Sequence, residues 1–271
     1  MLAVMARDLE ASLRGVSWGV CVRAEGADPE TAGLASESLR TASMGKVLLL
    51  LALARLIEGG EIDPAERLGR SSVAPVADSG LWQHLAQPGL EVNDLAVLVG
   101  SVSDNLATNV LVERIGFEFV ETTRSELGLE STRLLDVVRD VRGPDDPIAL
   151  STGSAEELSG LFGRLRDDAR RGEPAAHRVV GWLRPGCDLS MVASAFNLDP
   201  LAHVDEDRDI TIVNKTGTNT TVRADAGFVE GPGGAVTYAF LANWTEAADR
   251  RDAVMAAMRR VGKEIRLLAG V

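Results

Sequence analysis

Residue alternation of period two is confined to the two ends of this chain, and the long middle carries helical periodicity instead. Val16, Trp18, Val20 and Val22 alternate with Ser17, Gly19 and Cys21, the pattern of a strand with one buried face. Near the other end, the segments Asp209 to Asn214, Ala226 to Glu230 and Ala235 to Ala242 read as three more strands. A turn at Gly231-Pro232-Gly233-Gly234 joins the last two. The closing segment is helical, with Val254, Met258, Val261, Ile265 and Leu268 on one face.

Helices account for the interval between those strands. Lys46 to Glu58 is strongly apolar and closes at Gly59-Gly60. Asn93-Asp94 is expected to cap a second helix through Leu95 to Val99. Leu106 to Ile115 and Glu118 to Leu127 make two more, stopped by Gly116 and Gly128. Ser154 with Glu157 reads as a capping box for a fifth, running towards Arg166. Asp136 to Pro147 is charged and carries Pro and Gly, so a long surface loop is expected there. Strands at both ends imply one sheet assembled from both, with the helical block inserted between them. The expected fold is α+β: an antiparallel sheet from residues 1–45 and 190–271 flanked by helices, and an all-helical domain over 46–189.

Composition narrows the possible partners. The chain has 271 residues, about two average domains' worth, and 45% of them are hydrophobic, enough for a sizeable core. Its formal net charge of −12 and pI near 4.8 argue against nucleic acid or an anionic membrane as principal partner. The longest apolar run, Val47 to Ala54, is too short to span a bilayer. Arg7, Asp8 and Glu10 interrupt the apolar core that a secretory signal would need. For the chain as given a cytoplasmic location is expected; a trimmed leader would imply secretion or the periplasm. Cys21 and Cys187 have no metal or redox spacing and are expected to be buried free thiols. His84, His177 and His203 are scattered, so no metal and no cofactor is expected. A monomer is expected.

Three short polar islands interrupt apolar surroundings. Ser43 and Lys46 open the most apolar helix, one turn apart on one face. A hydroxyl is a poor nucleophile until a base takes its proton, and a lysine can serve if desolvation lowers its pKa. The plain alternative is an N-cap serine followed by a lysine that snorkels to water. Ser103-Asp104-Asn105 sits between two helices, where it reads either as a capping turn or as a proton shuttle and a substrate-orienting amide. Lys215-Thr216-Gly217 follows a strand and offers a cation and a hydroxyl to an anion. Its glycine would let a substrate backbone approach, unless the segment is an ordinary strand end.

In this order, S-x-x-K, S-D-N and K-T-G resemble the signature of class A β-lactamases and penicillin-binding proteins. The resemblance extends through Ser43-Met44-Gly45-Lys46-Val47-Leu48, Val102 to Asn109, and Asn214 to Gly217 with Arg223-x-Asp225-x-Gly227. It covers most of the chain, from about Ser17 to the last helix. It implies a serine hydrolase that opens a β-lactam, with Ser43 as acylated nucleophile and Lys46 as its activating partner. Ser103 and Lys215 would pass a proton to the leaving nitrogen. Asn105 would contact the substrate amide, Thr216 and Arg223 would meet its carboxylate, and Gly217 would lie against its backbone. The backbone N–H groups of Ser43 and Thr218 would form the oxyanion hole. For Arg223 the plain alternative is a surface arginine paired with Asp225.

One element of that family is missing. Class A β-lactamases carry a glutamate in the loop before the position of Ser151, and it activates the water for deacylation. Here the loop reads Arg133-Leu134-Leu135-Asp136-Val137-Val138-Arg139-Asp140, and the glutamate's place falls near Val138. Asp136 and Asp140 are the candidate substitutes, each one methylene shorter. Slow deacylation is therefore expected. The alternatives are an esterase, amidase or peptidase-like enzyme with another acyl substrate, and a penicillin-binding sensor without turnover.

Overall fold

The computed structural model describes residues 1–203 and 209–271. Its largest sheet has five strands, all antiparallel to their neighbours: β1 (Ser17–Ala24), β2 (Glu30–Gly33), β8 (Thr211–Asn219), β9 (Val222–Gly231) and β10 (Gly234–Asn243). Their order is β2-β1-β10-β9-β8, so the first strand of the chain lies beside the last. Both ends of the chain thus build one sheet, as the alternation implied. The remaining strands are short: β3 (Leu39–Arg40), β6 (Arg133–Leu134) and β7 (Ser151–Gly153) form one small sheet, and β4 (Arg67–Gly69) pairs with β5 (Gly89–Glu91).

Eight helices are described: α1 (Leu2–Ser12), α2 (Lys46–Glu58), α3 (Val92–Val102), α4 (Asn105–Ile115), α5 (Phe117–Glu126), α6 (Ala155–Arg170), α7 (Pro174–Leu183) and α8 (Arg251–Leu268). Strand alternation divides the core between the two faces of the large sheet. On β10, Val236, Tyr238, Phe240 and Ala242 pack with α1 and α8, whereas Ala239 and Leu241 join the core built around α2. Eleven residues of α2 are buried, so this helix has no solvent face and is the axis of the helical layer. No described helix is long and apolar enough to cross a membrane.

Several helix ends differ from expectation. The helix expected to be capped by Asn93-Asp94 begins at Val92, after Glu91, with Asn93 inside it. Asn93 turns its side-chain oxygen to Trp182 Nε1 on α7, at 3.0 Å, and so fastens α7 to α3 rather than capping. Ser154 does cap α6, accepting from Glu157 N. Glu157 does not reciprocate: its carboxylate accepts from the backbone N–H groups of Glu130, Ser131 and Thr132. Helices α1 and α7 lie where no element was expected.

Candidate active site

Edge strand β8, the turn before α2 and the turn between α3 and α4 converge on one cavity. Ser43 lies in a short 3₁₀ turn, Ala42–Gly45, that runs directly into α2. Its predecessor Ala42 has φ 49, a left-handed conformation uncommon for a residue with a Cβ. The turn is held by Ser151 on β7. Ser151 Oγ donates to Ala42 O at 2.6 Å, accepts from Gly45 N at 3.2 Å and lies 2.7 Å from Thr41 Oγ1. Nothing in the sequence marked Ser151, since a lone serine in an S-T-G stretch has no distinguishing neighbours.

Lys46 opens α2 and points inward, fully buried, so it does not snorkel. Its Nζ donates to Ser103 O at 2.7 Å, to Asn105 Oδ1 at 2.9 Å and to Ser103 Oγ at 3.2 Å. Burial drives the Lys46 pKa well below that of an ordinary lysine, and the nearby Lys215 charge adds to this, against Asp104 and Asp78. A neutral amine needs only two acceptors. Ser103 O and Asn105 Oδ1 suffice, and the Ser103 hydroxyl is then free to turn its own proton towards the nitrogen lone pair. Among the described residues no hydrogen bond joins Ser43 Oγ to Lys46.

The turn between α3 and α4 is a capping turn, and its Ser103 hydroxyl also lies between two lysines. Asp104 caps α4 by accepting from Ala107 N, and it also accepts from Leu81 N and Trp82 N. Ser103, at φ 56, ends α3 and directs its hydroxyl away from the cap. Lys215 Nζ donates to that hydroxyl at 3.0 Å and to Thr216 O at 2.8 Å. Burial pushes the Lys215 pKa down to about 8 despite Asp188 and Asp225. Asn105 is fully engaged: its amide nitrogen donates to Ala77 O at 2.9 Å while its oxygen holds Lys46.

Ser43, Ser103, Lys215, Thr216 and Thr218 line a common cavity of about 290 Å³, together with Ser79, Cys187, Asp188 and others. Ser43 and Thr218 also line an adjoining cavity of about 190 Å³ with Asp78, Asn105 and Val138. Cys187 is a free thiol but only half buried, because it forms part of the cavity wall. Cys21 is free and buried.

Gly217 is required for a reason unlike the one expected. A Cβ there would lie 2.0 Å from Thr41 O and 3.1 Å from Ser43 N. The backbone that comes close is therefore the protein's own, and this contact seats β8 against the Ser43 turn. Behind β8, the buried Asp225 accepts from Val192 N, Asn214 Nδ2 and Tyr238 Oη. Burial pushes the Asp225 pKa up to about 7 despite those donors. Asn214 also donates to Asp188 O, so one buried carboxylate braces both the start of the Lys215 segment and the Asp188 wall.

Arg223 is not among the residues that line either cavity. Its guanidinium donates to Asn219 O and Val222 O and lies over the Trp244 ring, 5.8 Å from the centroid. Nor does it pair with Asp225, which is buried and bonded elsewhere. Neither candidate substitute carboxylate lines a cavity that Ser43 lines. Asp136 is paired with Arg139 and Arg142; burial raises its pKa, but those partners and Val137 N–H more than offset this and hold it below the usual range. Asp140 accepts from Ala77 N and lines neighbouring cavities, not those of Ser43. Val138 supplies the wall in that direction.

Comparison with known proteins agrees with this layout. A family model described as the β-lactamase enzyme family matches residues 3–267. No curated relative matches by sequence. Among solved structures, the chain is similar to a β-lactamase from Sphaerobacter thermophilus, with TM-score 0.84, 22% identity and coverage of 100% of this chain and 98% of that one. It is also similar to a leucine-to-glutamate variant of PBP-A in an acyl-enzyme complex with penicillin G, with TM-score 0.77, 19% identity and coverage of 100% and 98%. A class A β-lactamase from Mycobacterium abscessus gives TM-score 0.76 and 22% identity over 98% and 100%. At such identities these likenesses establish the fold.

Proposed function

The chain belongs to the β-lactamase enzyme family, and from that premise we propose that it opens a β-lactam amide through an acyl-enzyme on Ser43, with deacylation as the slow step. The observation that carries this reading is the position of Ser103 Oγ, 3.2 Å from Lys46 Nζ and 3.0 Å from Lys215 Nζ, in the cavity that Ser43 lines. A buried lysine with a depressed pKa is a base suited to neutral pH.

In the acylation step Lys46 takes the Ser43 hydroxyl proton as Oγ attacks the lactam carbonyl carbon. The oxyanion that develops is met by the backbone N–H groups of Ser43 and Thr218. The C–N bond then breaks, and the nitrogen receives a proton from Ser103, which is replenished from Lys46. Lys215, positively charged below about pH 8, keeps the Ser103 hydroxyl oriented and attracts the anionic end of the substrate, alongside Thr216. Asn105 fixes the Lys46 amine. With Arg223 held against Trp244, that anionic end depends chiefly on Lys215.

Slow release follows from the wall at Val138, which has no proton acceptor where a loop carboxylate would stand. The PBP-A variant above is an acyl-enzyme with penicillin G, and its likeness to this chain supports formation of the same adduct class. Hydrolysis of the chromogenic cephalosporin nitrocefin by the protein and by Ser43→Ala tests the reading; equal rates would overturn it. A non-lactam acyl substrate is the second reading, favoured by Asp188 in the cavity and Arg223 outside it. It predicts faster turnover of p-nitrophenyl esters than of any β-lactam.

A further inference from the structure

The smaller cavity beside Ser43 has one carboxylate in its wall, and it comes from neither Asp136 nor Asp140. It is Asp78, on the segment between the 3₁₀ turn at Arg70–Ser72 and that at Trp82–His84. This position is firmly built. Asn105 donates from its side chain to Ala77 O at 2.9 Å and from its backbone to Ser79 O at 3.0 Å, which clamps the chain on both sides of Asp78. Gln83 Nε2 donates to Asp78 O at 2.8 Å, and Ala77 N donates to Asp140 Oδ1 at 3.0 Å. Asp78 has φ 70, a left-handed conformation that aspartate tolerates better than most residues and that functional sites often retain. Its side chain is exposed, so water reaches it. Its charge is felt at Lys46, where it opposes the lowering of the lysine pKa.

We propose that Asp78 is the general base of deacylation, supplying from the segment clamped at the start of α4 the carboxylate that the Val138 loop lacks. The inference rests on the reading of Ser43 as the acylated nucleophile. A water in the cavity of Ser43, Asp78 and Val138 attacks the ester carbonyl carbon, and its proton passes to the Asp78 carboxylate. The C–Oγ bond breaks, and the proton held by Asp78 passes through solvent to the neutral Lys46 amine, which hands it to the departing Ser43 Oγ. Asp78 is again a carboxylate, Lys46 again neutral and Ser43 again a hydroxyl, and the product leaves as a free acid. Aspartate is short and Asp78 is shared with bulk water, which agrees with slow release.

Rapid-quench intact-mass spectrometry with penicillin G, combined with steady-state turnover, separates the two chemical steps. Asp78→Asn is expected to form the adduct within a few-fold of the parent rate, since only a weak charge effect on Lys46 is lost, and to lose it about 10²–10⁴-fold more slowly, the usual contribution of a general base. Asparagine also tolerates φ 70, so the thermal midpoint should stay within a few degrees of the parent protein. Asp78→Glu keeps a carboxylate and is expected to recover part of the lost rate, which a purely structural role would not. Release from Asp78→Asn at the parent rate would overturn the proposal. Equal slowing of both steps would also overturn it, because Asp78 would then be acting through Lys46. If the parent protein forms no adduct and shows no turnover, the acyl-enzyme reading fails, and this inference with it.

Discussion

Ser103 holds Lys46 twice, accepting from its Nζ at the backbone oxygen (2.7 Å) and at the hydroxyl (3.2 Å). The first contact keeps the amine in place whatever the hydroxyl does. The second is free to exchange partners as protons move. Positioning and proton transfer are thus assigned to different atoms of one residue, at the left-handed end of α3.

Ser103→Ala is therefore expected to leave Lys46 in position and to remove only the relay. Acylation should slow about 10²–10⁴-fold, with little change in stability. Stopped-flow kinetics with nitrocefin and a urea melt check the two halves. A large loss of stability with acylation preserved would contradict the division.

The Lys215 charge has a pH window. Its pKa of about 8 leaves it mostly protonated at pH 7 and mostly neutral at pH 9. Attraction for an anionic substrate should fall as pH rises through 8, while an uncharged ester should not lose attraction in the same way. The ratio of second-order acylation constants for a penicillin and a neutral ester, followed from pH 6 to 10, measures this. In Lys215→Gln the ratio should lose that alkaline fall.

Gly217→Ala places a Cβ 2.0 Å from Thr41 O, so β8 or the Ser43 turn must shift. Overpacking of this kind costs about 1–3 kcal/mol. Acylation should fall at least ten-fold, because Ser43 N and Thr218 separate. Chemical denaturation and burst kinetics report the two effects.

Val138→Glu restores a carboxylate to the wall facing Ser43. Deacylation should accelerate by about 10²-fold if the side chain meets the same water. The adduct lifetime by mass spectrometry checks it, and formation of the adduct should be unaffected.

Much of this architecture could be read from residue order. Helix α2 runs from Lys46 to Glu58 as its apolar run and glycine stop required, and strand alternation alone implied a sheet closed between the two chain ends. The convergence of Ser43, Lys46, Ser103 and Lys215 followed from motif order. Other features left weaker traces. Helix α1 buries only Leu2 and Leu9, two leucines a heptad apart among charges. Helix α7 is signalled by Pro174 in its first turn and by a Glu173 cap, both easily taken for a loop. The helix start at Val92 is masked in the sequence because Asn93 and Asp94 are better caps by composition than Glu91. Ser151 bonds to Ala42, and Asn105 clamps Ala77 and Ser79 on either side of Asp78; these partners lie far apart along the chain, and no local pattern encodes such meetings. Arg223 shows the converse: the motif placed it at the substrate, whereas Trp244 and two backbone oxygens hold it beside the sheet.

Incubation of the intact protein with penicillin G, followed by mass spectrometry and peptide mapping, bears most directly on the nucleophile. The expected result is a mass increase equal to one penicillin G, located on the peptide containing Ser43 and absent from Ser43→Ala. An adduct on another residue, or the same adduct in Ser43→Ala, would contradict the account.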